Sequence, residues 1–108
     1  MNGERDGSTV VVHWLDARIA KAPVALRARI RELAASSPAP PPIGPVLARV
    51  ASRVLREVAG SRGDRSVALD LLAADALITL ALVAQAESDP ATLAGFAREL
   101  LGPDGANP

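Results

Sequence analysis

Val67–Ala86, VALDLLAADALITLALVAQA, is a run of twenty residues whose only charges are Asp70 and Asp75. No Lys, Arg or His lies between Arg65 and Arg98, so neither carboxylate has a cation three or four residues away on its own helix. Length and apolar content predict one long helix over about 65–87. Leu69, Leu72, Ala76, Leu80 and Val83 form its most apolar side, with Leu71, Ile78 and Leu82 nearly opposite. A helix that is apolar almost all round belongs in a core. The run is long enough to span a bilayer. Two aspartates, each costing roughly 2.5–3.5 kcal/mol near the centre of a membrane helix, argue against a span.

On either side the same helical periodicity continues. A first helix is expected from Ser8 or Thr9 to about Lys21, with Val11, Trp14, Leu15 and Ile19 on one side. Pro23 suits the first turn of a second helix, where its missing N–H costs nothing, and Leu26, Ile30 and Leu33 give that helix an apolar face. The two could equally be one helix bent at the proline. SSPAPPPIGP, residues 36–45, holds five prolines in ten residues, which forbids regular helix and predicts a stiff crossover. A third helix is expected over Val46–Ala59. Leu47, Val50, Ala51, Val54, Leu55 and Val58 form its apolar stripe, Arg49, Arg53 and Arg56 share another face, and Gly60 stands at its end. A fifth helix has Asp89 as its cap and Pro90 at its first position. It turns Leu93, Phe96, Ala97 and Leu100 inward and stops at Gly102-Pro103. The fold class is therefore all-α, a small bundle of four or five helices in one domain over residues 9–101. Residues 1–8 and 102–108 are expected as flexible tails.

Composition narrows the functional classes. With 108 residues and no cysteine, disulfides and thiolate metal sites are excluded. Only Trp14 and Phe96 are aromatic, so the core draws on Ala, Val and Leu and buries less area per residue than an aromatic-rich one. The net charge is zero, which gives no global drive toward nucleic acid or an anionic membrane. The halves differ. Residues 1–60 carry nine Lys or Arg against five Asp or Glu, and residues 61–108 carry three against seven. That asymmetry favours attraction between the halves, within a molecule or across a dimer. The polar N-terminus MNGERDGS lacks the apolar core of a signal peptide, and a cytoplasmic location is expected.

Few residues point to chemistry. Asp70 sits near the start of its helix, where the macrodipole favours a carboxylate. Asp75 lies too far along for that help, and Arg49, Arg53 or Arg56 from the preceding antiparallel helix are its expected partners. His13 is the only histidine; Asp16 could orient it as a base and Ser8 is nearby, but nothing in the pattern makes the three converge. One His, no Cys and scattered carboxylates provide no metal-ligand spacing, and no cofactor is expected. Arg62-Gly63-Asp64 reads as a turn, and no glycine-rich phosphate loop occurs. Ala74-Asp75-Ala76-Leu77-Ile78 resembles the Ala-rich, Asp-containing helix of polyprenyl synthases. That likeness covers five residues, and the DDxxD sites of the family are absent, so it implies no activity here.

The leading expectation is an interaction module that docks on a protein partner or forms a homodimer, because the long helix has more apolar circumference than short Ala-rich neighbours cover. One alternative is a nucleic-acid or anionic-ligand binder acting through Arg49, Arg53 and Arg56. Missing aromatic platforms argue against nucleic acid. A second alternative is a small enzyme or ligand-binding bundle with Asp75 and His13 in a cleft; the residues leave catalysis open, with the balance against it.

Overall fold

Proline placement sets several of the helix boundaries. The computed structural model describes residues 3–36, 42–61, 63 and 65–102. Five α-helices follow in order: α1 Gly3–Arg18, α2 Val24–Ala35, α3 Ile43–Ala59, α4 Arg65–Ser88 and α5 Leu93–Leu101. A 3-10 turn, Pro90–Thr92, precedes α5. Among the described residues there is no strand, so the all-α bundle expected from periodicity is the fold.

The boundaries differ in places. α1 starts at Gly3, so residues 3–8 are helical rather than a tail; nothing in Glu4-Arg5-Asp6 breaks a helix. It ends at Arg18, short of Lys21, and α2 is a separate helix with Pro23 at its N-cap. Between them Ala22 N–H donates to the Ile19 carbonyl (3.0 Å), and the Arg27 guanidinium donates to the Ala20 carbonyl (2.7 Å). α3 begins three residues before Val46. Pro42 is its N-cap and Pro45 falls in its first turn, where no intrahelical N–H bond is lost. The proline-rich crossover is shortened accordingly, and its residues 37–41 lie outside those described, as do 1–2 and 103–108 of the expected tails. Asp89 does not cap α5 with its side chain. Its carbonyl instead accepts from Thr92 N–H (3.1 Å) and Thr92 Oγ1 (3.0 Å), which closes the 3-10 turn.

α3 and α4 pack more extensively than any other pair of helices. α3 contributes Val46, Leu47, Val50, Ala51 and Val54, each at most 1% exposed. Leu55, expected in that stripe, is instead exposed. The buried side of α4 is Ala73, Ala74, Leu77, Leu80, Ala81 and Ala84, a face centred elsewhere than on Leu69, Leu72 and Val83. Four of those six residues are alanines, and their short side chains allow the valines and leucine of α3 to lie close against the α4 backbone. Val11 and Leu15 of α1, Ile19 of the turn after it, and Ile30, Leu33 and Ala34 of α2 complete the core. No polar or charged side chain is buried among the described residues. By length and composition α4 could cross a membrane, but in the fold it is the bundle's central helix, with a third of its most apolar window buried.

Closest approach falls at the start of α3. A Cβ added at Gly44 would lie 2.7 Å from Gln85 Oε1 and 3.2 Å from the Ala81 carbonyl oxygen. The amide oxygen could swing away, but the backbone oxygen cannot. Gly44→Ala should therefore destabilise the fold by about 1–3 kcal/mol through overpacking, and adding Gln85→Ala should recover part of the loss. Gly95, with nothing within 4 Å of its notional Cβ, is the control: Gly95→Ala should stabilise α5 by about 0.5–1 kcal/mol. Urea denaturation of the three variants beside the parent checks both signs.

Candidate functional site

Three inter-helix ion pairs consume most of the cations on α1 and α2. Arg29 Nε donates to Asp70 Oδ1 at 2.6 Å and its Nη1 to Glu32 Oε1 at 2.7 Å, tying α2 to α4. Those two carboxylates, Asp70 first, raise the Arg29 pKa further above its ordinary range. Arg31 pairs with Asp16 at 2.9 Å, joining α2 to α1. Arg18 donates to both oxygens of Glu87 (3.0 and 2.9 Å) while its guanidinium lies 4.0 Å over the Trp14 ring. Trp14 Nε1 donates to the same carboxylate at 3.2 Å, so α1 is clasped to the end of α4.

The arginines of α3 are arranged differently. Arg49, Arg53 and Arg56 fall at i, i+4 and i+7, flanking the valine face that meets α4, and Val50 shares their groove. None has a carboxylate within ion-pair distance among the described residues. Arg53 donates to Ser36 Oγ at 3.1 Å, and Ser36 in turn donates to the Leu33 carbonyl at the end of α2. The three arginines line a groove of about 520 Å³ whose opposite wall is α5, with Phe96, Glu99 and Leu100. Phe96 and Leu100 also pack against the core, which anchors that wall. The groove therefore combines a basic rim with an apolar wall.

The pairing expected for Asp75 is not formed. Asp75 is exposed and joins no ion pair among the described residues. Its position explains this: two residues from buried Leu77, it points about 160° away around the helix, into solvent rather than toward α3. Of the two aspartates of α4 it is Asp70 that is paired, with a partner from α2. In the sequence, Asp70 carried the same signal as Asp75, a charge without a local cation, but helix position masked it.

His13 is exposed and borders a shallow hollow with Trp14, Arg18 and Ile43. Asp16, its expected orienting partner, is committed to Arg31. The Ser8 side chain, Arg62 and Asp64 lie outside the described residues. No hydrogen bond or cavity joins His13 to Asp75, and no group of three or more His, Asp or Glu that could hold a metal occurs among the described residues. The α5 wall of the groove had a legible signal in the inward positions Phe96 and Leu100. That α5 stands beside the arginine side of α3 had none.

No protein family model matches the sequence, and no curated protein or solved structure is detectably similar to it. The site therefore rests on its own geometry.

Two stability tests separate the carboxylates. Asp70 and Arg29 are partly buried, with side chains 23% and 32% exposed. Asp70→Ala should cost about 1–3 kcal/mol, between the limits for exposed and buried pairs. Asp75→Ala should stay within about 0.5 kcal/mol of the parent; thermal or urea unfolding compares them. The Arg18 hydrogen bond, with Trp14 assisting, lowers the Glu87 pKa below its ordinary 4.5. A carboxylate lowered on folding stabilises above its unfolded pKa, and that contribution is lost as pH falls through the folded value. The parent should therefore lose more thermal stability than Glu87→Gln on acidification below pH 4.5, measured as Tm against pH.

Proposed function

We propose that this protein is a small helical docking module that holds an acidic, amphipathic segment of a protein partner in the groove between α3 and α5. The observation that carries this reading is the contrast among its arginines. Arg18, Arg29 and Arg31 are each matched to a carboxylate, whereas Arg49, Arg53 and Arg56 line one groove whose carboxylate, Glu99, is within ion-pair distance of none of them. Clustered like charges repel unless something neutralises them. Their spacing spans about 10 Å of helix, which matches carboxylates repeated every turn on a partner helix. Phe96 and Leu100 provide apolar contact of the kind that anchors such a ligand.

Glu99 on the groove wall breaks the positive track that a continuous phosphate chain would follow, and a single aromatic is a poor platform for stacked bases. A protein segment fits the groove better than nucleic acid does.

The test uses a fluorescein-labelled helical peptide with Glu at i, i+4 and i+7 and Leu between, beside a scrambled peptide of the same composition. Fluorescence anisotropy should show saturable binding of the first. Arg49→Glu with Arg53→Glu, or Phe96→Ala, should weaken it by at least about tenfold. Equal binding of the scrambled peptide, no saturable binding, or tighter binding of a single-stranded oligonucleotide would overturn the reading.

A further inference from the structure

A second surface, independent of the groove, lies on the outward side of α4. Ala68, Leu72, Asp75, Thr79, Leu82 and Ala86 follow one another at alternating intervals of four and three. That spacing keeps a single seam facing a partner helix. The seam runs opposite the buried alanines. Its first four residues are exposed and Leu82 and Ala86 are half-buried; Leu72, at 56% exposure, is more open to solvent than any other large apolar residue of α4.

The seam is complementary to its own reverse. Turned end for end about Leu77, it sets Leu72 opposite Leu82, Ala68 opposite Ala86 and Asp75 opposite Thr79. One turn beyond each end, Arg65 comes opposite Asp89. Both are exposed, and neither joins an ion pair among the described residues. We propose that a second copy of this chain packs antiparallel along α4, with the two-fold axis beside Leu77. The contact is isologous, so each matched pair occurs twice.

This arrangement accounts for the lone carboxylate in an apolar strip. Asp75 accepts a hydrogen bond from Thr79 of the second copy, which offsets part of its desolvation. In the single chain, Thr79 Oγ1 donates to the Asp75 carbonyl only at 3.2 Å, a long bond that is readily exchanged. The reversed register also offsets the two Asp75 carboxylates by about 6 Å along the helix axis. A parallel register would set Asp75, Arg65 and Asp89 each against its own like charge, which is unfavourable. The lone Asp and Thr thus select direction as well as partner, as buried polar residues do in coiled coils.

Sedimentation velocity of the full chain tests the surface. The wild type should move from monomer to dimer across the micromolar range. Leu72→Glu, at an exposed position, should weaken association at least about tenfold with helical circular dichroism unchanged. The chain has no cysteine, so cross-linking tests the register cleanly. Ala68→Cys mixed with Ala86→Cys should oxidise to a disulfide dimer faster than either variant alone. A wild type that stays monomeric at high micromolar concentration, a Leu72→Glu variant that dimerises like the wild type, or Ala68→Cys alone cross-linking as fast as the mixture would each overturn the proposal. So would a monomeric wild type that co-sediments with phosphatidylcholine vesicles, since the strip would then serve a lipid surface.

Discussion

Everything in this bundle depends on how closely α3 can lie on α4. Alanines at positions 73, 74, 81 and 84 flank Leu77 and Leu80 on the buried side of α4, and α3 packs on that side with Val46, Leu47, Val50 and Val54. At its starting end the approach is close enough that a Cβ at Gly44 would press on the Ala81 carbonyl and the Gln85 amide. An interior with two aromatics in the whole chain has little area to bury per residue. It compensates by bringing backbones together, so that dispersion contacts are gained at short range.

Close packing on one side of each central helix fixes what the other sides can do. Once α3 turns its valines toward α4, its arginines are left on the flank, and α5, packed on α4, forms the other wall of a groove. Once α4 turns its alanines toward α3, Asp75 and Leu72 must face solvent. The surfaces proposed to bind follow from the core rather than being added to it. They differ in physics: the groove is basic and asymmetric, while the α4 strip is apolar and matches its own reverse.

Charge placement shows the same division. The excess of basic residues in the first half and acidic residues in the second is partly resolved inside the molecule, through Arg29 with Asp70 and Arg18 with Glu87. It is not resolved at Arg49, Arg53 and Arg56. An exposed ion pair adds little to stability, so the clasp of Trp14, Arg18 and Glu87 serves to position α1 more than to hold the fold together. These three arginines join no ion pair among the described residues.

The sequence alone determined the helical class, the five-helix count within its stated range, and the central place of α4. It did so because those features depend on local propensity and apolar spacing, which neighbouring residues encode. It also placed the arginines together on one face of α3, since helical spacing fixes that without any knowledge of the fold. Rotation of α4 was beyond it: a helix apolar nearly all round has no polar face to declare which side is buried, and the alanine side was chosen by the fit to α3. The fate of Asp75 turned on that rotation, as did the choice of Asp70 as the paired carboxylate. Where α3 starts within the proline run was settled by which N–H groups could go unpaired. The wall that α5 builds against Arg49, Arg53 and Arg56 joins residues some forty positions apart, and only the tertiary fold brings such distant residues into one site.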